Sequence, residues 1–191
     1  MAFSVTRPGG LCDNNSKEAV TLMGRIVFRG SASNPDDKFK NGFTPRNARD
    51  EIKIQPGGQM IGGVSTSKDL GTALRYAASY NGWVYVIYLE KGIDVLEYIL
   101  DKANSLFASG KWKDGVSNAA TQAEIAAVEI PGTSVIAGRQ CRINGEIAEM
   151  YGKIARNWTC VVPATEALQG CAWLDTSITV PKEYTKYPAA S

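Results

Sequence analysis

Trp83-Val84-Tyr85-Val86-Ile87-Tyr88-Leu89 is aromatic or aliphatic at every position, so a strand there buries both faces and stands inside a sheet. Periodicity alone also fits a buried helical segment; the β-branched and aromatic content favours the strand. Before it, Asn81-Gly82 ends a segment in which Leu70, Ala73, Leu74, Ala77 and Ala78 share one side of a helix over Lys68 to Tyr80, with Ser67 as its cap. After it, Asp94 and Glu97 make a capping box with aspartate in the cap position. That box opens a helix through Ile99, Leu100 and Leu106 to about Gly110.

Working outward, Arg25-Ile26-Val27-Phe28-Arg29-Gly30 reads as a strand with Arg29 at its end. Asn34-Pro35-Asp36-Asp37 starts a short helix that Asn41-Gly42 stops. Thr44 to Gly63 reads as loop, with turns at Gly57-Gly58 and Gly62-Gly63, and Val64-Ser65-Thr66 as a short strand. Lys111 to Ala120 reads as loop. Thr121 to Ile130 and Val135 to Ile143 read as strands that Pro131-Gly132 turns between, and Asn144-Gly145 is a strong hairpin signal. The partner segment, Glu146 to Ile154, also fits a helical face; the turn favours a strand. The tail from Pro181 looks extended and weakly packed, and no repeat, charge run or linker divides the chain.

With 191 residues and 44% apolar content, the chain suits one domain over 1–191, with 1–20 and 181–191 as peripheral extensions. A net charge of +2 lacks the basic excess of a dedicated nucleic-acid binder. The sequence holds no histidine, which excludes serine and cysteine triads and most zinc sites, so any general base is a carboxylate. Cys12, Cys141, Cys160 and Cys171 lack paired Cys-x-x-Cys spacing; their even number leans toward an exported protein with a disulfide framework of open connectivity. Ala2 to Pro8, after Met1, carries no apolar core of signal-peptide length, as in a mature segment. No run is long enough to span a bilayer.

Three stretches carry chemistry: Phe28-Arg29-Gly30, Ser65-Thr66-Ser67 and Gln122-Ala123-Glu124. Taken singly, each has an ordinary role, as a salt-bridged strand arginine, a helix cap and the wet face of a half-buried strand. In this order and separation they resemble the mono-ADP-ribosyltransferase toxins, whose motif is Arg, Ser-Thr-Ser, then Glu or Gln-x-Glu. The resemblance covers about Ile26 to Ile143, with further agreement at Asp36 to Phe43 with the pertussis toxin catalytic subunit and at Ala119 to Glu124. Gly92-Ile93-Asp94-Val95 is similar instead to pierisin and its DNA-modifying relatives.

The resemblance implies an α+β fold of two crossed antiparallel sheets with flanking helices around an NAD cleft. It implies NAD as co-substrate and no metal. Nicotinamide is a cationic leaving group, so the chemical problem is to stabilise an oxocarbenium-like ribose, and one placed carboxylate suffices. Glu124 would be that carboxylate, fixed by Ser65, with Thr66 and Ser67 holding the strand end and starting the next helix. Arg29 would hold the phosphate and ribose region through its planar fork, and Gly30 would let the nicotinamide amide approach the backbone. Gln122, two positions before Glu124, would share its face in an extended segment and orient the acceptor. Tyr76 and Trp83 are candidate stacking partners for nicotinamide, with core packing as their alternative. Lys111, Trp112 and Lys113 are candidate acceptor contacts, or an ordinary solvated loop.

In the family, Gln in place of the first Glu goes with acceptors other than arginine. Ser31 stands where toxins of the pertussis and cholera type carry an acid, and their active-site histidine has no counterpart here. Both departures fit the histidine-independent pierisin-like and Rho-modifying groups better, or a distant branch. The expected activity is transfer of ADP-ribose from NAD to guanine in DNA or to a protein side chain such as Cys or Asn. A secreted toxin or effector acting inside a target cell, with a delivery subunit as partner, follows from the same resemblance. Water as acceptor, giving an NAD glycohydrolase, and a non-catalytic NAD- or partner-binding module are the competing readings. Asn14-Asn15-Ser16 and Asn157-Trp158-Thr159 match the glycosylation sequon.

Overall fold

The computed structural model describes residues 20–45, 52–104 and 110–183, and for 20–24, 110, 111, 113 and 114 it describes the backbone alone. In chain order the elements are β1 (Val20–Ser31), α1 (Pro35–Asn41), β2 (Lys53–Ile54), β3 (Met60–Ile61), β4 (Val64–Ser67), α2 (Leu70–Ala78) and β5 (Trp83–Asp94). There follow α3 (Val95–Ala103), α4 (Gly110–Gln122), β6 (Glu124–Ala127), β7 (Val135–Asn144), β8 (Ile147–Arg156), α5 (Ala164–Asp175) and β9 (Thr179–Pro181).

The pairings between these strands are antiparallel. The main order is β1-β4-β6-β5-β7-β8-β9, and β1 also pairs with β5, so β1, β4, β6 and β5 close on one another. Strand β5 connects two limbs. Its first half lies between β1 and β7, while Ile93 and Asp94 at its end pair with Ala126 and Ile125 of β6. The fold is therefore the mixed helix-and-sheet class with antiparallel sheets that the sequence led us to expect.

The apolar strand is buried on both faces. Val84 and Val86 pack with Phe28, Leu74, Ala77, Ile136 and Leu174, whereas Tyr85, Ile87 and Leu89 pack with Val27, Phe43, Ile125 and Ile130. A third cluster joins Ile93, Val95, Ile99, Ala119 and Ala126, with Trp112 and Val116 against it. Strand alternation sends successive residues of β5 into different clusters, and apolar burial on both sides drives its insertion. Tyr85, fully buried, donates its hydroxyl to Ser33 O at 2.7 Å, and burial pushes the phenol well above its ordinary range.

Several boundaries differ from expectation. The helix after β4 spans Leu70–Ala78 and its cap is Asp69, whose carboxylate accepts from the amides of Gly71 and Thr72; Ser67 ends the strand instead. Asp94 caps α3 as read, accepting from Leu96 N and Glu97 N. Segment 111–120, expected as loop, is helical within α4. Its Gly110 and Gly115 disfavour helix by about 1 kcal/mol each, but Trp112, Val116 and Ala119 form one apolar face against the Ile99 cluster, and packing outweighs propensity.

Consequently Thr121 and Gln122 belong to α4, and the strand expected from Thr121 starts at Glu124. Residues 53–61, inside the expected loop, form the β2–β3 pair. The hairpin at Asn144-Gly145 and the strand after it are as read. Helix α5 had no counterpart in the sequence reading, because it is apolar on several sides and shows weak period; buried Gly170 and Leu174 face the core. The end of α3 toward Gly110 and the tail beyond 183 lie outside the described residues. Among those described, Cys141, Cys160 and Cys171 are free thiols, so the disulfide framework is absent there, and Cys12 lies outside. Burial raises the Cys141 thiol to about 12.

Candidate active site

Strands β4 and β6 run antiparallel with Ser67 opposite Glu124, Thr66 opposite Ile125 and Ser65 opposite Ala126. Alternation puts Ser65, Ser67 and Glu124 on one face. Thr66 points to the other side, where its hydroxyl donates to Ile125 O at 2.8 Å. Ser67 Oγ donates to Gln122 O at 2.7 Å and accepts from Asp69 N at 3.0 Å. Its hydroxyl thus joins two chain segments.

Glu124 is 6% exposed. Burial raises its carboxyl above the ordinary glutamate range, opposed by a hydrogen bond from the Ser65 side chain and by the positive charge of Arg29. Those partners favour the ionised form. The carboxylate stands at the wall of a cleft of about 510 Å³, which Phe28, Arg29, Gly30, Ser65, Tyr76 and Gln122 also line.

Arg29 is placed from both sides. Its guanidinium donates to the carbonyl oxygen of Ser65 and stacks over the Phe43 ring at 5.2 Å. Phe43 is held by a reciprocal pair of backbone bonds with Ile130, at 2.8 and 2.9 Å, just after Gly42, whose φ of 66° closes α1. The stop signal Asn41-Gly42 therefore delivers an aromatic platform to the arginine.

Gly30 lines the cleft and also allows a close helix contact. A Cβ built there would lie 2.6 Å from Ala73 O and 2.7 Å from Ala77 N, so its missing side chain lets α2 pack onto β1. That packing brings Tyr76 to the cleft, where it is 41% exposed and lies 5.3 Å from Tyr80, ring centre to ring centre. Thr72, one turn earlier, lines the same wall.

Gln122 and Glu124 do not share an extended strand. Gln122 ends α4, Ala123 adopts a left-handed φ of 46°, and Glu124 begins β6. The joint still brings both residues to the cleft. Trp83 is absent from the lining; it packs beside Phe39 against the Tyr85 cluster. Trp112 also lies elsewhere, 6.1 Å from the Tyr98 ring, and the side chains of Lys111 and Lys113 are outside the description. Asn157 of the second sequon is 5% exposed and fully engaged, donating to Gly132 O and Val135 O and accepting from Thr159.

Sequence reading missed further lining of the cleft, by Thr44, Pro45, Met60 and Ile61 with Gly62 and Gly63. The paired glycines were legible as turns, but the cleft they border depends on how β3 folds back. It also missed the ion pair of Lys68 Nζ with buried Asp94 at 2.5 Å, which connects the end of β4 to the start of α3. Among the described residues no group of three or more His, Cys, Asp or Glu is placed to hold a metal ion, and no helix is long and apolar enough to cross a membrane.

No family model matches the sequence, and no curated protein matches it significantly. Solved structures do. Scabin toxin from Streptomyces scabies in complex with NADH is similar with a TM-score of 0.51 and 18% identity, over 74% of this chain and 79% of that one. A Scabin variant is similar at 0.52 and 19%, over 74% and 79%. EcPltA is similar at 0.55 and 18%, over 72% and 88%. The chain has the fold of the ADP-ribosyltransferase toxins.

Proposed function

We propose that this chain is a single-domain mono-ADP-ribosyltransferase that binds NAD in the cleft, cleaves the nicotinamide–ribose bond and transfers ADP-ribose to an acceptor other than arginine. The observation that carries the reading is the convergence of three distant sequence stretches on one wall. Buried Glu124 is held by the Ser65 side chain and faces the charge of Arg29.

Glu124 stabilises the ribosyl cation, a preorganised charge in a partly dry site. Ser65 orients it, and Arg29, with its fork fixed by Phe43 and the Ser65 carbonyl, holds the diphosphate. Tyr76 supplies a flat surface at the cleft edge, and Gln122 stands beside Glu124 on the acceptor side. The NADH carried by the structurally similar Scabin supports a dinucleotide as occupant. Glutamine in place of an acid at 122 supports a neutral or weakly polar acceptor, since arginine calls for a carboxylate partner.

Guanine in DNA is the first acceptor to test, because Gly92 to Val95, similar to the pierisin group, lies at the β5–β6 junction: Asp94 pairs with Ile125, next to Glu124. A toxin or effector acting in a target cell is the setting that the similar toxins support. Labelled NAD incubated with the protein plus DNA, a cell lysate or no acceptor tests the reading. Label on DNA or protein is expected; nicotinamide release with no labelled macromolecule makes it a glycohydrolase, and neither product leaves a binding module.

A further inference from the structure

The segment between Gln122 and Glu124 is the least ordinary piece of backbone in the cleft. Ala123 has a φ of 46°, a conformation that a Cβ disfavours, and among the described non-glycine residues only Asn81 shares a positive φ. Asparagine is at home there; alanine is not. Something must hold it, and three bonds do. Ala123 N donates to Ala119 O at 3.0 Å, closing α4; Lys68 N donates to Ala123 O at 2.8 Å; and Ser67 Oγ donates to Gln122 O at 2.7 Å.

Two of these bonds come from consecutive residues at the end of β4, on the strand that also presents Ser65 to Glu124. Lys68 is itself tied down, since its ammonium meets Asp94, a 2%-exposed carboxylate that also caps α3.

A helix running into a strand without this joint would carry Gln122 away from Glu124. With it, an exposed Gln122 and a buried Glu124 border the same cleft. We propose that Ser67 and the left-handed Ala123 form a clamp that sets Gln122 against the acceptor, so that they are positioning residues deciding how ADP-ribose divides between a macromolecular acceptor and water. This rests on the transferase reading above, in which Gln122 faces the acceptor and Glu124 the ribose. Loss of the Ser67 bond frees the carbonyl of Gln122 and lets the helix end swing, while Glu124 keeps its place in the β4–β6 ladder.

The test measures two rates in the same tube: nicotinamide release from labelled NAD, and label incorporated into duplex DNA or into total lysate protein, whichever the wild-type protein labels. Ser67→Ala is expected to lower the ratio of transfer to hydrolysis about tenfold. Ser67→Thr, which keeps the hydroxyl, retains the ratio. Ala123→Gly retains it because glycine adopts positive φ freely, and Ala123→Val lowers it because a β-branched residue resists that conformation. Should Ser67→Ala fail to fold, as a thermal melt reveals, the Ala123 pair carries the comparison.

Equal losses of transfer and hydrolysis in Ser67→Ala and Ala123→Val, or no change in either, overturn the clamp while leaving the transferase reading intact. A wild-type protein that labels neither DNA nor lysate protein removes the transferase reading, and the clamp with it.

Discussion

The guanidinium of Arg29 donates to the backbone carbonyl of Ser65, 36 positions further along the chain, and so joins two of the three motif stretches. The third enters through Glu124, whose carboxyl the Ser65 side chain and the Arg29 charge both draw down against burial. Arg29 and Ser65 therefore both act on the same carboxyl, and in the same direction.

That coupling sets a pH profile. Burial raises the Glu124 carboxyl, and in the proposed reaction the ionised form is the one that stabilises a ribosyl cation, so NAD cleavage is expected to fall at acidic pH along a limb displaced upward from the ordinary glutamate range. Arg29→Gln removes the opposing charge and moves the limb to higher pH; Ser65→Ala does so by removing the hydrogen bond. Profiles of kcat/KM for NAD measure both shifts, and a downward move in either variant contradicts the placement of Arg29 and Ser65 around Glu124.

The same carboxylate weakens the fold. Its folded-state pKa lies above the unfolded one, so the folded chain holds the proton more tightly, and stability declines as pH rises from the ordinary glutamate range through the raised value. Glu124→Gln removes that penalty. Its Tm at neutral pH is expected to exceed the wild-type value by about 2–4 °C, and the gap narrows on acidification, as differential scanning calorimetry at several pH values checks.

Gly30→Ala forces a methyl group against Ala73 O and Ala77 N, backbone atoms of a helix that cannot yield locally. A cost of about 1–3 kcal/mol is expected, with a Tm lower by several degrees. Because α2 must shift and carries Tyr76, KM for NAD rises as well. An unchanged Tm would show that α2 does not pack on β1 as described.

Asn157→Ala strips two donors from the buried carbonyls of Gly132 and Val135 and the acceptor from Thr159. Urea denaturation is expected to show a loss of about 2–3 kcal/mol. The engaged amide also means that the folded protein accepts no glycan at Asn157, which mass spectrometry of protein from a glycosylating host checks.

The legibility of this site in the sequence was uneven for physical reasons. Local rules gave β5, the short helix at Pro35 and the Asp94 cap, because apolar runs, first-turn proline and capping carboxylates act within a few residues. The motif gave Arg29, Ser65, Gln122 and Glu124, which the fold brings to one cleft. The backbone around Gln122 was misread, since polar Lys111 to Asn118 hide a helix whose stability comes from Trp112 and Val116 packing on α3. Gly30 was read as room for a ligand; that it also makes room for a helix is visible only in the packing of Ala73 and Ala77.

Nicotinamide release from labelled NAD, compared between the wild-type protein and Glu124→Ala at matched concentration and confirmed folding, tests the central claim most directly. The wild-type protein is expected to cleave NAD and the variant to lose about two to three orders of magnitude in rate. Cleavage by Glu124→Ala at the wild-type rate would contradict the assignment of Glu124, and with it the function proposed for the cleft.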